Sequence, residues 1–138
     1  MKITSIKPWL VKVEGTFWGE YFFIEVQTDE GITGWGEITT TTLTANRAVA
    51  GIIEKLNDLL IGEDPFNIGP LYEKMRRRGR YAGGNSAPFT FALTGIENAL
   101  FDIVGKALGV PVYKLLGGQF RDRIRLYADC HAGETNEP

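Results

Sequence analysis

Two periods divide the chain. Up to residue 39 apolar residues come in short, roughly alternating runs; from residue 44 they recur at the three-to-four-residue spacing of a helix. In residues 2–13, Ile3, Ile6, Trp9, Val11 and Val13 give a partial alternation interrupted by Pro8, which predicts an edge or bulged strand. The run "YFFIEVQT" (21–28) puts Phe22, Ile24 and Val26 on one face and Phe23, Glu25 and Gln27 on the other. "TDEGIT" supplies a hairpin turn in which Gly31 is free to take positive φ. The partner run "ITGWGEIT" keeps Ile32 and Ile38 in phase, with Gly34 and Gly36 between them on the same face. Either another element packs closely against those glycines or the strand bulges there. Together these runs predict a three-stranded antiparallel meander.

The second half predicts helices. Ala45, Ala48, Val49, Ile52, Ile53, Leu56, Leu59 and Leu60 form an i, i+3, i+4 stripe that ends at Gly62. A second helix starts near Asn67, tolerates Pro70 in its first turn and buries Leu71, Tyr72 and Met75. The third is the longest, with Ser86 as a plausible N-cap and Pro88 in its first turn. Its apolar face is Phe89, Ala92, Leu93, Ile96, Ala99, Leu100, Ile103 and Ala107, and Gly109 falls where a C′ glycine belongs. A short helix "PVYKLL" stops at Gly117-Gly118. Strands followed by segregated helices define an α+β fold: the meander, then a helical bundle. After a basic linker, the apolar-rich "IRLYADC" opens what looks like a new strand shortly before residue 138.

Composition narrows the classes. The 138 residues are 43% hydrophobic and 12% aromatic, which suits a packed globular domain and argues against disorder. Fifteen basic and seventeen acidic residues leave a net charge of −2, so bulk charge calls for neither nucleic acid nor an anionic membrane. No apolar run approaches the roughly 20 residues of a membrane span, and the start "MKITSIKPWLVKVEG" does not read as a signal peptide. One cysteine, Cys130, cannot form an intrachain disulfide and fits a reducing compartment, so a cytoplasmic location is expected.

Candidate chemistry is mostly excluded. "GITGWG" has the wrong glycine order for a dinucleotide fingerprint and lies within a hairpin, and "VGKALG" lacks the glycine loop and the Ser or Thr of a phosphate loop. His131 beside Cys130 has no second ligand pair at metal spacing. Arg76, Arg77, Arg78 and Arg80 suit a solvated helix end better than an anion grip, and "YAGGNSAP" suits a loop and cap better than a phosphate cradle. No Ser–His–Asp or paired-carboxylate set stands out. The residues therefore contain no self-sufficient active site.

The run "ALTGIENALFDIVGKALGVPVYKLLGGQFRDRIRLYA" (92–128) resembles the signature that joins the two domains of the mandelate racemase/muconate lactonizing enzyme group of the enolase superfamily. "DEGITGWGE" (29–37) resembles the turn and third strand of that group's N-terminal capping domain, and "RRRGRYAGG" (76–84) most resembles its acid-sugar dehydratase branch. The resemblance implies a capping domain with linker over residues 1–123 and, over 124–138, the first strand of a TIM-like barrel whose remainder is absent, hence a fragment. The alternative is a complete small protein whose last strand pairs with the meander or dimerises. By resemblance the intact enzyme removes a proton α to a carboxylate and stabilises the enediolate on Mg²⁺, most readily in a dehydratase of acid sugars. Racemase, epimerase or cycloisomerase chemistry is the alternative, as is a free-standing binding module. The metal ligands and bases of such enzymes stand on the barrel, so no catalytic or metal residue carries over and this chain is expected to bind no Mg²⁺ itself. A carboxylate substrate and a homo-oligomer are the implied partners.

What the cap supplies by resemblance is substrate selection, through "EGTFWGEY" (14–21) and "TTTTLT" (39–44). Phe17, Trp18 and Tyr21 would wall an apolar or sugar-stacking surface, with Gly15 and Gly19 as flexible points of a lid. Hydroxyls such as those of Thr40 and Thr41 would bond polyol groups, or the threonines are simply a strand end with Thr44 capping the next helix. Glu37 and Trp35 are expected to organise the sheet. Asp102 and Lys106 stand i, i+4 on the long helix as an ion pair, placed by resemblance at the cap–barrel contact, with Arg121, Asp122 and Arg123 as a polar hinge.

Overall fold

The computed structural model describes residues 1–14, 19–39, 43–79 and 87–128. It contains β1 (Ile3–Lys12), β2 (Glu20–Thr28), β3 (Thr33–Ile38), α1 (Leu43–Leu60), α2 (Ile68–Arg78), α3 (Ala87–Leu108) and α4 (Val112–Leu115). The strands form one antiparallel sheet in the order β1-β2-β3. The expected meander and helical layer are both present.

The sheet buries one face. Ile6, Phe22, Ile24, Val26 and Ile38 point at the helices and are at most 5% exposed, because side chains of a strand alternate between faces. The strands join at a hairpin where Thr28 N–H donates to Ile32 O at 3.1 Å and Gly31 adopts φ +78°. β1 departs from simple alternation. Its register slips between Ile3 and Ser5, so Trp9 and Val11 turn outward opposite Phe23 and Tyr21. Trp9 is 47% exposed, and β1 is the bulged edge strand that its partial alternation predicted. The slip lies at the start of β1 rather than at Pro8, which pairs opposite Ile24 in what is an edge strand, where a missing ladder donor is tolerated.

The helices cover the inner face. Val49, Ile53, Leu56 and Leu60 of α1 are buried, whereas Ala48 is exposed and lies off that stripe. Helix α1 already includes Leu43 and Thr44, so Thr44 stands inside the first turn and not ahead of it as a cap. Leu71 and Met75 of α2 are buried; at its end Gly79 lies against the Phe89 ring of α3, where an added Cβ would come within 2.8 Å of Cε2. The C-terminus of α3 is a Schellman motif: Val110 N–H donates to Gly105 O at 2.9 Å and Gly109 N–H to Lys106 O at 3.2 Å, with Gly109 at φ +64°. Ser86, the expected N-cap of α3, lies outside the described residues.

Among the described residues, β3 and α3 meet at backbone contact. A Cβ on Gly34 or Gly36 would run into the backbone carbonyls of Ala99 and Gly95, and one on Gly34 would also stand 2.6 Å from Ile103 Cγ1. From the other side, a Cβ on Gly95 would stand 2.5 Å from Ile38 Cγ1 and 2.7 Å from Ile24 Cδ1. The two glycines on the inner face of β3 therefore exist to admit a helix backbone, and the bulge alternative is excluded by the unbroken register from Phe22↔Ile38 to Gln27↔Thr33.

Both sheet edges are covered from within. On β1, Ile3 N–H donates to Glu63 O at 2.9 Å and Ile3 O accepts from Gly62 N–H at 2.8 Å. On β3, Asp102 Oδ2 accepts from the Trp35 backbone N–H at 2.8 Å and from Lys106 Nζ at 2.6 Å, while Lys106 Nζ also donates to Thr33 O at 2.7 Å. The predicted i, i+4 pair thus occupies a donor and an acceptor that an open strand edge would offer to another chain.

Residues 119–128 belong to no helix or strand, and Phe120, Ile124, Leu126 and Tyr127 are each at least 75% exposed. Where a strand was expected, 124–128 pair with nothing among the described residues.

Two outcomes follow from the packing. Gly36→Ala should destabilise the chain by about 3 kcal/mol, since the obstacle is backbone and cannot step aside. Gly51→Ala, in open space on helix α1, should stabilise it by about 0.5–1 kcal/mol. Urea unfolding of the two variants measures both, and a Gly36→Ala midpoint at or above the parent's contradicts the close-contact account. Asp102→Ala should keep the fold while Trp35 amide exchange rises about tenfold; unchanged exchange would mean that the ion pair does not protect the edge.

Candidate functional site

Antiparallel topology brings two connections to the same end of the sheet. Lys12 pairs with Glu20 and Phe22 with Ile38, so the end of β1, the start of β2 and the end of β3 lie together. The β1–β2 and β3–α1 connections both leave from there. They are the two segments, 14–21 and 39–44, that sequence reasoning singles out for substrate selection.

Of the six residues expected there, two are described. Gly19 adopts φ +65°, the left-handed region that favours glycine, and its carbonyl accepts from Val13 N–H at 3.1 Å, closing the base of the first connection. Tyr21 is half-buried opposite Val11, on the outer face. Phe17, Trp18, Thr40 and Thr41 lie outside the described residues, as do Gly15, Cys130 and His131.

The structure adds a pair that sequence reasoning missed. Asn46, in α1, is only 4% exposed, and its Nδ2 donates to Glu20 Oε2 at 2.9 Å. One connection ends immediately before Glu20, and the other runs into the first turn of the helix that carries Asn46. The signal was present in the sequence: Asn46 stands three residues before Val49 and seven before Ile53, a polar residue in the buried phase of α1.

Other candidates have structural roles. Arg76 and Arg77, in the last turn of α2, both pair with Glu73: Arg76 Nε at 2.6 Å and Arg77 Nε at 2.8 Å. The Arg76 hydrogen bond, followed by that of Arg77, holds the Glu73 carboxyl down at about 2. Its stabilisation is present above the ordinary carboxylate range and is lost as pH falls toward 2. Two of the basic residues are thereby engaged with a carboxylate of their own helix and placed where cations complement the dipole.

Trp35 and Glu37 stand in β3, paired with Glu25 and Phe23 of β2. Both side chains are exposed on the outer face of the sheet, which Trp9 of β1 shares across β2; Trp9 Nε1 donates to Glu25 Oε2 at 2.8 Å. Trp35 also borders an open groove of about 600 Å³ with Glu97, Phe101 and Leu116, between β3, α3 and α4. Burial raises the Glu97 carboxyl above its ordinary value there.

Metal chemistry finds no support among the described residues. No three His, Cys, Asp or Glu side chains come together as a ligand set, so the residues in view do not fit Mg²⁺. Nor is any described helix long and apolar enough to cross a membrane.

Comparison with known proteins places this architecture. The family model described as mandelate racemase/muconate lactonizing enzyme, N-terminal domain, matches residues 2–117. A D-galactonate dehydratase of Verminephrobacter eiseniae is 45% identical over 127 residues, covering 92% of this chain and 31% of that protein. One from Ralstonia pickettii is 48% identical over 109 residues, covering 78% and 27%. Among solved structures, a mandelate racemase/muconate lactonizing enzyme-like protein of Rubrobacter xylanophilus superposes with a TM-score of 0.84 at 39% identity, covering 96% of this chain and 32% of that one. An enolase from Agrobacterium radiobacter, solved with bound Na and L-malate, gives 0.80 at 31% identity, covering 92% and 30%. The chain therefore spans about 30% of the length of the proteins it matches. With the matched region, the three-stranded meander and the helical layer in agreement, the chain belongs to the mandelate racemase/muconate lactonizing enzyme N-terminal domain family.

Proposed function

We propose that this chain is the substrate-selecting cap of an acid-sugar dehydratase, with residues 1–123 forming the cap and linker and 124–138 the start of a barrel strand. One observation carries the proposal: the cap fold gathers its two long connections at one end of the sheet, in a chain 42–48% identical to several proteins named D-galactonate dehydratase.

The division of labour follows from chemistry. Removing a proton α to a carboxylate builds negative charge that must be met by a preorganised cation or hydrogen-bond donors. In the enzyme a divalent metal, Mg²⁺ by family, supplies that charge; the described residues of this chain do not. The cap's part in this reading is to bind and orient. Phe17, Trp18 and Tyr21 offer aromatic faces to the sugar chain, and Thr40 and Thr41 offer hydroxyls that both donate and accept for its polyol groups. Water exclusion at the reacting end is the further contribution of segments held over a barrel mouth. The exposed Phe120, Ile124, Leu126 and Tyr127 suit a segment that is buried once the catalytic domain is in place, and a homo-oligomer of cytoplasmic location fits such an enzyme.

Two experiments bear on this. The purified 138-residue chain, given D-galactonate and Mg²⁺, should show no dehydration above the uncatalysed background; measurable metal-dependent turnover would refute the division between cap and catalyst. Joined to the barrel of the Verminephrobacter eiseniae relative, the cap should select substrate through Trp18. There Trp18→Ala is expected to raise KM roughly three- to tenfold, and unchanged KM and kcat would remove Trp18 from recognition.

A further inference from the structure

We infer that the outer face of the sheet is the surface on which a second copy of this chain docks, face to face about a two-fold axis. The inference stands on described strand residues alone and does not depend on substrate selection. It gives a surface to the homo-oligomer proposed above.

Strand pairing fixes the pattern on that face. Two rows cross all three strands: Lys7, Glu25 and Trp35 in one, Trp9, Phe23 and Glu37 in the next. The inner face carries the helices, and no described helix or strand covers the outer one. Trp9 and Trp35 are 47% and 46% exposed, with Phe23 half-buried between them. Aromatic groups gathered on one open face mark a contact surface, as single scattered ones do not. The face is also held in shape. Glu25 accepts from Trp9 Nε1 at 2.8 Å and from Gln27 Nε2 at 2.7 Å, which engages both carboxylate oxygens and pins the indole across β2. Side chains fixed before contact lose little freedom on contact.

Charge selects the occupant. Ile3 on one edge and Trp35 and Thr33 on the other already bond within the domain, so the face rather than an edge is left open. Among the described residues, the side chains of Lys7, Trp35 and Glu37 make no hydrogen bond or ion pair. In an isologous contact residue i meets j and j meets i. A two-fold axis along β2 would stack Glu25 on its own copy, like charge on like. An axis across the strands, midway between the rows, lays each row on the other row of the second copy. Lys7 then meets the second copy's Trp9, a cation against an indole face. Trp35 meets the second copy's Glu37, an indole N–H opposite a carboxylate. Glu25 meets Phe23, and no like charges oppose. The face is complementary to itself, and a second copy is the partner that supplies this match by symmetry.

Sedimentation equilibrium of the 138-residue chain tests this. It should show reversible dimerisation in the range of roughly tens of micromolar, as suits a small face. Lys7→Glu and Trp35→Ala should each weaken the dimer about tenfold. Trp35→Phe, which keeps a ring without the N–H, should weaken it about threefold and serves if Trp35→Ala fails to fold. Lys55→Glu on α1 and Leu126→Ser after α4, both at exposed positions, should leave it unchanged. On dilution, the moving amide resonances should be those of Phe23, Glu25 and Glu37. A chain that stays monomeric at about 0.5 mM overturns the inference. So does a dimer that ignores Lys7→Glu and Trp35→Ala but dissociates with Leu126→Ser, since the segment after α4 would then hold it. In the hybrid enzyme, the face variants should lower the order of assembly and leave KM unchanged. Unchanged assembly with a lower melting temperature would mean that the catalytic domain covers this face, and the inference falls while substrate selection through Trp18 stands.

Discussion

A helix backbone lying directly on a strand backbone governs this domain. Gly34 and Gly36 carry no side chain at two inward positions of β3, and Gly95 of α3 carries none facing the sheet, so α3 settles to main-chain contact. Glycine inside regular elements costs about 0.5–1 kcal/mol per residue in lost chain entropy. Here that cost is offset by burial: Ile24, Ile38, Ile96, Leu100 and Ile103 close around the contact and are at most 5% exposed. A Cβ at any of the three glycines would push the layers apart along their whole length, because protein interiors transmit such strain rather than absorb it.

Close approach has a second effect at the sheet edge. With α3 this near, the short side chain of Asp102 reaches the Trp35 N–H directly, and Lys106, one turn on, reaches the Thr33 carbonyl. An exposed i, i+4 ion pair contributes little by its charges alone. Its value here is that it engages two backbone groups that would otherwise present an open edge. The family resemblance places the same pair at the junction with the barrel; its contacts in view are internal to the cap. At the opposite edge the turn after α1 does the equivalent work on Ile3. A sheet of three strands, small enough to be marginal on its own, is thus closed on its inner face and guarded on both edges.

The same topology sets where the two long connections emerge. In a meander the first connection and the exit from the third strand must emerge at one end. The hairpin at Asp29–Gly31 takes the other end of the sheet and leaves this one to the longer connections. Glu20 and Asn46 stand at the foot of those two connections. Nothing among the described residues assembles a metal site.

Much of this was legible in the order of residues. Alternation in 21–28 identified β2 and its buried face, the three-to-four spacing identified α1 and α3, and paired glycines in phase with Ile32 and Ile38 pointed to a close neighbour without naming it. Those are local properties: burial of one face selects the period, and a missing Cβ marks where something must come near. Tertiary structure decided the rest. The register slip near Ile3 turned Trp9 and Val11 outward, and packing against α3 left Trp35 and Glu37 exposed on the outer face of the sheet; both depend on which partner each strand met. Phe17, Trp18, Thr40 and Thr41 remain proposals from family resemblance, since they lie outside the described residues. Glu20 and Asn46 were visible as letters but not as a pair. A hydrogen bond across 26 residues exists only once sheet and helix have packed, and no local rule connects its two ends.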